Sequence, residues 1–84
     1  MYKKDSKKIK LQKMVDSGDW FLFETGDFNW GYISKVLDLP EDFIRTFKNK
    51  VEWKAISAYQ VLSENFIKEF IYFVDWYWIS FGQV

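Results

Sequence analysis

The sequence contains no cysteine and no histidine. The absence of cysteine excludes disulfide bonds and thiolate metal sites, and the absence of histidine removes the most common general base and the most common zinc ligand. The four glycines stand singly, so the sequence has no glycine-rich phosphate-binding loop. We therefore expect no enzymatic activity, no cofactor and no metal site. Binding to another molecule is the expected kind of function.

Long apolar runs are also missing. The most apolar segment, residues 66–84, is interrupted by Lys68, Glu69 and Asp75, and falls short of the roughly 18 uncharged residues that a membrane helix needs. The lysine-rich start is not followed by the apolar stretch of a signal peptide. These features predict a cytoplasmic protein that does not associate with a membrane.

Aromatic residues are abundant: nineteen of the 84 residues are Phe, Trp or Tyr. Many of them recur with a period of 23 residues, and residues 30–52 and 53–75 share nine identical positions. A fixed period in this range is typical of stacked repeats, in which each unit buries its apolar face against its neighbour. The identical pairs are Trp30/Trp53, Ile33/Ile56, Ser34/Ser57, Leu39/Leu62, Glu41/Glu64, Phe43/Phe66, Ile44/Ile67, Phe47/Phe70 and Val51/Val74.

Each full unit is predicted to form two short helices. The first begins at Trp30 or Trp53, directly after a polar residue that favours a helix N-terminus. The second begins near Pro40 or Ser63, because proline suits the first turn of a helix and serine suits the N-cap. The apolar residues that follow recur at helical spacing.

The N-terminal region is predicted to form a lysine-rich amphipathic helix, with Ser6 near its start and Gly18 after its end. Residues 17–29 leave two interpretations open. Their aromatic residues and Gly-Asp pair fit a strand and a turn, whereas the repeat register fits a degenerate half-unit that is helical near residues 19–24. The predicted fold class is all-α, a small solenoid-like bundle of short helical hairpins. Its single domain, residues 1–84, divides into residues 1–16, 17–29, 30–52, 53–75 and 76–84.

The repeated pattern is Trp-x-x-Ile-Ser, four further residues, and then Leu-(Ser/Pro)-Glu-x-Phe-Ile-x-x-Phe. It resembles short Trp/Phe-rich helical repeats of bacteriophage and large DNA virus proteins. The resemblance covers residues 30–80 and implies a helical interaction scaffold without catalytic residues. It also implies a small viral inhibitor or adaptor of a host protein or protein complex, for example a defence system, in the host cytosol. The residues that carry it in the second unit are Trp53, Ile56, Ser57, Leu62, Ser63, Glu64, Phe66, Ile67 and Phe70.

Departures from the repeat suggest a binding surface. The sequence Lys-Asn-Lys at residues 48–50 becomes Ile-Tyr-Phe one period later, and the residue pair after the third tryptophan is Tyr-Trp. These aromatic residues either close the small core within one molecule, form a homodimer, or bind a foreign protein. The candidate partner-binding residues are Ile71, Tyr72, Phe73, Tyr77 and Trp78.

The formal net charge is zero, but the charges are unevenly distributed. Residues 1–13 hold six lysines and one aspartate, whereas the remaining residues hold six basic and eleven acidic side chains. The lysines suggest an arm for an anionic partner, and nucleic acid is the alternative partner, disfavoured by the acidic body and the single arginine. An acidic surface that imitates nucleic acid is a further candidate. The candidate arm comprises Lys3, Lys4, Lys7, Lys8, Lys10 and Lys13, and the candidate acidic surface comprises Asp38, Glu41 and Asp42.

Two features that could suggest catalysis have simpler explanations. Glu41 and Asp42 are adjacent acids, but they fall in the first turn of a predicted helix, where they offset the macrodipole. The periodic serines have no histidine to activate them as nucleophiles. We expect Ser57 to make a close helix contact or to bond a backbone carbonyl.

Overall fold

The computed structural model describes residues 3–82, and the side chains of residues 6–80. All of the regular structure within this range is helical, and no strand occurs there. The all-α prediction is therefore confirmed. The helices of the described residues are α1 (Lys3–Ser17), α2 (Phe21–Thr25), α3 (Trp30–Val36), α4 (Glu41–Thr46), α5 (Trp53–Tyr59), α6 (Glu64–Glu69) and α7 (Trp76–Gly82).

The helix starts follow the sequence period. Helices α3, α5 and α7 begin at Trp30, Trp53 and Trp76, and α4 and α6 begin one residue after Pro40 and Ser63. Helix α3 packs against α5, and α5 packs against α7. The first helices of successive units therefore lie side by side in chain order.

Polar side chains explain why the helices begin where they do. The side chains of Asn29 and Asp75 each accept a hydrogen bond from a backbone N–H two or three residues further on, at 3.0 and 3.1 Å. Ser63 does the same at 3.1 Å. Pro40 occupies the N-cap, one position before the first-turn slot that the sequence suggested. These contacts satisfy amide groups that have no acceptor within the helix.

Aromatic rings fill the core. Trp30 packs 5.2 Å from Phe47, and Trp53 packs 5.3 Å from Phe70, measured between ring centroids. Each such ring pair contributes about 0.5–1.5 kcal/mol beyond the burial of its apolar area. The buried core residues are Leu11, Val15, Phe23, Ile33, Leu37, Leu39, Phe43, Ile44, Phe47, Val51, Ile56, Leu62, Phe66, Phe70, Val74 and Ile79.

Two buried serines each bond the last residue of their own unit, directly before the tryptophan that opens the next one. The Ser34 hydroxyl accepts a hydrogen bond from the backbone N–H of Glu52 at 3.0 Å, and the Ser57 hydroxyl accepts one from Asp75 at 2.8 Å. Both donors lie directly before a unit's tryptophan. The sequence predicted that Ser57 makes a close helix contact or bonds a backbone carbonyl, and the structure shows that its oxygen accepts from an amide. The amide of the residue before each following tryptophan is thereby satisfied by a serine in the first helix of the same unit.

We predict that replacing Ser34 by alanine lowers the free energy of unfolding by about 1–3 kcal/mol, because the Glu52 amide loses its partner in a half-buried place. Urea denaturation followed by circular dichroism measures the change. Ser80 is the control, since it stands one period after Ser57 but is exposed. Ser80→Ala is expected to change stability by less than about 0.5 kcal/mol. Equal losses in both variants would contradict the role assigned to Ser34.

Gln60 ties the second unit to the loop between α3 and α4. Its side-chain oxygen accepts a hydrogen bond from the Leu39 N–H at 3.1 Å, and its side-chain nitrogen donates to the carbonyls of Ser34 and Leu37 at 2.8 and 2.7 Å. These bonds satisfy backbone groups left over at the end of α3. The periodicity did not single out Gln60, because a leucine occupies the same position one period earlier.

Helix α1 is longer than predicted and already helical before Ser6. Gly18 follows it with a φ of +82°, the left-handed conformation expected of a glycine after a helix C-terminus. Leu11 and Val15 are buried, but Ile9 is 53% exposed. The apolar face of α1 is thus narrower than the amphipathic pattern suggested.

We expect Gly18→Ala to destabilise the fold by about 1 kcal/mol, because an alanine is strained in the left-handed region. A Cβ there would have no atom within 4 Å, so the loss would come from the backbone alone. Gly31→Ala is the matched control, since Gly31 lies in α3 and its added Cβ would meet only the Asn29 side chain, at 3.4 Å. The control should be neutral or stabilising by up to about 1 kcal/mol. Thermal melts of both variants provide the comparison.

The regular secondary structure within residues 17–29 is helical, so the strand interpretation is wrong. Helix α2 lies two residues later than the repeat register suggested. The ring of Phe23 packs 5.1 Å from that of Phe43, and Trp20 packs 5.1 Å from Phe43. The Trp20 indole also donates to the carbonyl of Val15, five residues back, as Trp53 does to Lys48. Burial against α4 therefore favours a helix where the local sequence allowed either structure.

Candidate interaction surfaces

The turn after α6 and the first turn of α7 present apolar side chains to solvent. Tyr72 is 96% exposed and Tyr77 is 64% exposed, while Ile71 and Phe73 are exposed to a smaller extent. The Trp76 indole donates a hydrogen bond to the Ile71 carbonyl at 3.2 Å, which ties α7 to this turn. We call Ile71, Tyr72, Phe73 and Tyr77 the aromatic surface.

Four of the five predicted partner-binding residues thus lie together on the outside of the molecule. The fifth, Trp78, is half-buried, and its ring lies 5.1 Å from that of Tyr77. Phe73 keeps two contacts with the core, since its ring packs 5.3 Å from Trp53 and 5.5 Å from Phe70. The exposure of Tyr72 and Tyr77 shows that these two side chains do not close the core within one molecule.

The aromatic surface lies along the side of the helix array. Its counterparts one period earlier, residues 48–50, are all exposed, although the second unit packs against the first. Gly31 and Lys54, the counterparts of Tyr77, are also exposed. The exposure of Tyr72 and Tyr77 is therefore a property of these repeat positions and does not come from a missing neighbour.

The lysine-rich segment is a helix that rests on the body of the protein. The Gln12 side chain donates to the Asp38 carbonyl at 2.9 Å and accepts from the Asp38 N–H at 2.8 Å. The Lys7 ammonium lies 4.8 Å from the centre of the Tyr32 ring. Four of the predicted lysines, Lys7, Lys8, Lys10 and Lys13, have exposed side chains. The side chains of Lys3 and Lys4 lie outside the described residues.

A shallow groove runs between α1 and the start of α3. Its volume is about 380 Å³, and its lining is mainly apolar. Met14, Leu22 and Phe28 contribute to its wall, and Lys7 and Lys10 border it. The groove is thus an apolar slot with a cationic edge, although Asp27 also lines it.

The three residues of the candidate acidic surface do not form one free patch. The Glu41 carboxylate accepts hydrogen bonds from the backbone N–H and the hydroxyl of Ser63, at 2.6 and 3.1 Å. Asp42 forms an ion pair with Arg45 at 2.6 Å. Asp38 is exposed, and its backbone carbonyl and N–H bond the Gln12 side chain of α1. Two of the three carboxylates are therefore engaged within the molecule, Glu41 with the second unit and Asp42 within α4.

Arg45 and Glu69 connect α4 with α6. The guanidinium donates two hydrogen bonds to the Glu69 carboxylate, each at 2.9 Å, in a bidentate arrangement. These bonds lower the pKa of Glu69 below its ordinary value of 4.5 and raise the pKa of Arg45. The ion pair thus joins two units through side chains that the sequence did not single out.

This pair gives a pH-dependent contribution to stability. Because the pKa of Glu69 is lowered in the folded state, its contribution is complete above about pH 4.5 and is lost as the pH falls through the folded-state pKa. We predict that Glu69→Gln has a lower free energy of unfolding than the parent protein near neutral pH. The difference in this free energy between the two proteins should shrink in acid. Urea denaturation at pH 7 and pH 3 measures it. A difference that stays constant with pH would show that the charge of Glu69 contributes nothing.

Within residues 3–82, no cluster of acidic side chains is arranged to hold a metal ion. In the same range, no helix is long and apolar enough to cross a membrane. Comparison of this chain with known protein families, with curated proteins and with solved structures finds no match.

Proposed function

We propose that this chain is a non-enzymatic protein–protein interaction module that binds its partner through the aromatic surface. The observation that carries the proposal is the replacement of Lys-Asn-Lys by Ile-Tyr-Phe at repeat positions that are exposed in both units. The Tyr72 side chain, which is 96% exposed, contributes almost no buried area to the fold. Contiguous exposed apolar residues are typical of sites that bind other proteins.

The residue types at this surface fit such a role. Tyrosine supplies a large contact area with few rotatable bonds, and aromatic residues dominate the binding energy of most interfaces. In the proposed arrangement, the helices form a short solenoid-like stack that acts as a rigid support, with Trp53 and Phe70 beneath Phe73. Rigid support lowers the entropy that binding costs.

The resemblance to viral Trp/Phe-rich repeats suggests the kind of partner. In this proposal the protein acts in the cytosol of a host cell, as an inhibitor or adaptor of a host protein. Nucleic acid remains the alternative partner, and the exposed lysines of α1 are what favour it. Helix α1 also has a structural role, however, since it buries Leu11 and Val15 in the core.

The proposal is tested by placing a photo-crosslinking amino acid at Tyr72 and, in a matched control, at Asn49, which is the exposed counterpart one period earlier. In host lysate, we expect discrete protein adducts from position 72 and none from position 49. Replacing Tyr77 by lysine in the position-72 variant should reduce these adducts at least tenfold, because a charge enters an apolar contact. Phe21→Lys, which alters an exposed aromatic residue on α2, should leave them unchanged.

Circular dichroism of all variants confirms that the helices persist. Equal adducts from positions 72 and 49 would contradict the proposal. Adducts with nucleic acid in place of protein would favour the alternative, and a steep fall in affinity with salt would support that reading.

A further inference from the structure

The outer face of α6 can be identified from the repeat register. On α4, the side chains of Glu41 and Arg45 reach α6, the equivalent helix of the second unit. Glu41 bonds Ser63 at the N-cap of α6, and Arg45 bonds Glu69. One period later the same positions on α6 hold Glu64 and Lys68, and both are exposed. By the repeat register, these two exposed side chains lie on the side of α6 that corresponds to the α6-facing side of α4.

Two apolar side chains on this side are less covered than their counterparts. Ile44 on α4 is fully buried, whereas Ile67 on α6 is only half-buried. Trp53 packs against Phe66 and Phe70 of α6, whereas Trp76 is 50% exposed. We call Glu64, Ile67, Lys68 and Trp76 the end face. It differs from the aromatic surface, whose exposure does not depend on a neighbouring unit.

We propose that a second copy of this chain covers the end face, with the α6 helices of the two molecules antiparallel across a twofold axis. Glu64 and Lys68 stand four residues apart on one face of the helix. An antiparallel pairing centred between them therefore places Glu64 of each molecule opposite Lys68 of the other. The face is complementary to itself in charge, as a twofold interface requires.

The interface already present within the chain supports this arrangement. There, Arg45 on α4 forms an ion pair with Glu69 on α6, and Ile44 on α4 is buried. The proposed dimer repeats this combination, with two ion pairs flanking the Ile67 side chains. In the proposed dimer, α6 of the second copy also contacts the exposed ring of Trp76. The equivalent ring of the preceding unit, Trp53, packs against Phe70 at the end of α6. Burying these two side chains supplies the apolar part of the contact.

Charge reversal tests the proposed geometry. Glu64→Lys places lysine opposite lysine twice in the dimer, and Lys68→Glu places acid opposite acid twice. Each single variant should therefore dimerise at least roughly tenfold more weakly than the parent chain. Mixing the two variants in equal amounts should restore a heterodimer, because both contacts then join opposite charges. Sedimentation equilibrium over a range of concentrations measures the association.

Lys48→Glu is the matched control, since it reverses an exposed lysine outside the end face and should leave the association unchanged. Circular dichroism checks that every variant keeps its helices. A parent chain that stays monomeric at all concentrations would overturn the proposal. A dimer that both single variants form as tightly as the parent, or that mixing does not restore, would also overturn it. The proposed function of the aromatic surface is independent of this result, because Tyr72 and Tyr77 lie outside the end face.

Discussion

The short length of the helices means that the structure depends on aromatic burial within each unit, between its first and second helices. Apart from α1, each helix has five to seven residues, and isolated helices of that length are unstable in water. They persist because Trp30 and Trp53 each cover phenylalanines of the following helix. A chain of 84 residues buries a modest share of its surface, so large aromatic side chains supply the apolar area that a small core would otherwise lack.

Polar side chains then hold the units in register. Ser34 accepts the Glu52 amide directly before the second unit, Gln60 ties that unit to the loop between α3 and α4, and Arg45 on α4 bonds Glu69 on α6. Hydrogen bonds are directional, whereas apolar burial is not. The aromatic residues therefore provide most of the driving force, and the polar contacts select one arrangement of the helices.

The same array leaves two kinds of surface available. Side positions such as that of Tyr72 are exposed in every unit, so the chain can change them without altering the core. Ile67 on α6 is only half-buried, whereas its counterpart Ile44 on α4 is fully buried. The proposed partner site uses a side position and the proposed dimer uses an end position, so one small scaffold accommodates both contacts.

Much of the fold could be predicted from the sequence because its signals are local. The 23-residue period, the helix starts at Trp30 and Trp53, and the glycine after α1 all depend on residues that are near one another in the chain. The sequence alone also shows the change from polar residues at 48–50 to apolar and aromatic residues at 71–73. Tertiary structure alone decided that α2 is helical, that Ser57 accepts an amide, and that Glu41 is used internally. These outcomes depend on groups 18 or more residues apart, whose distances are determined by helix packing and not by local propensity.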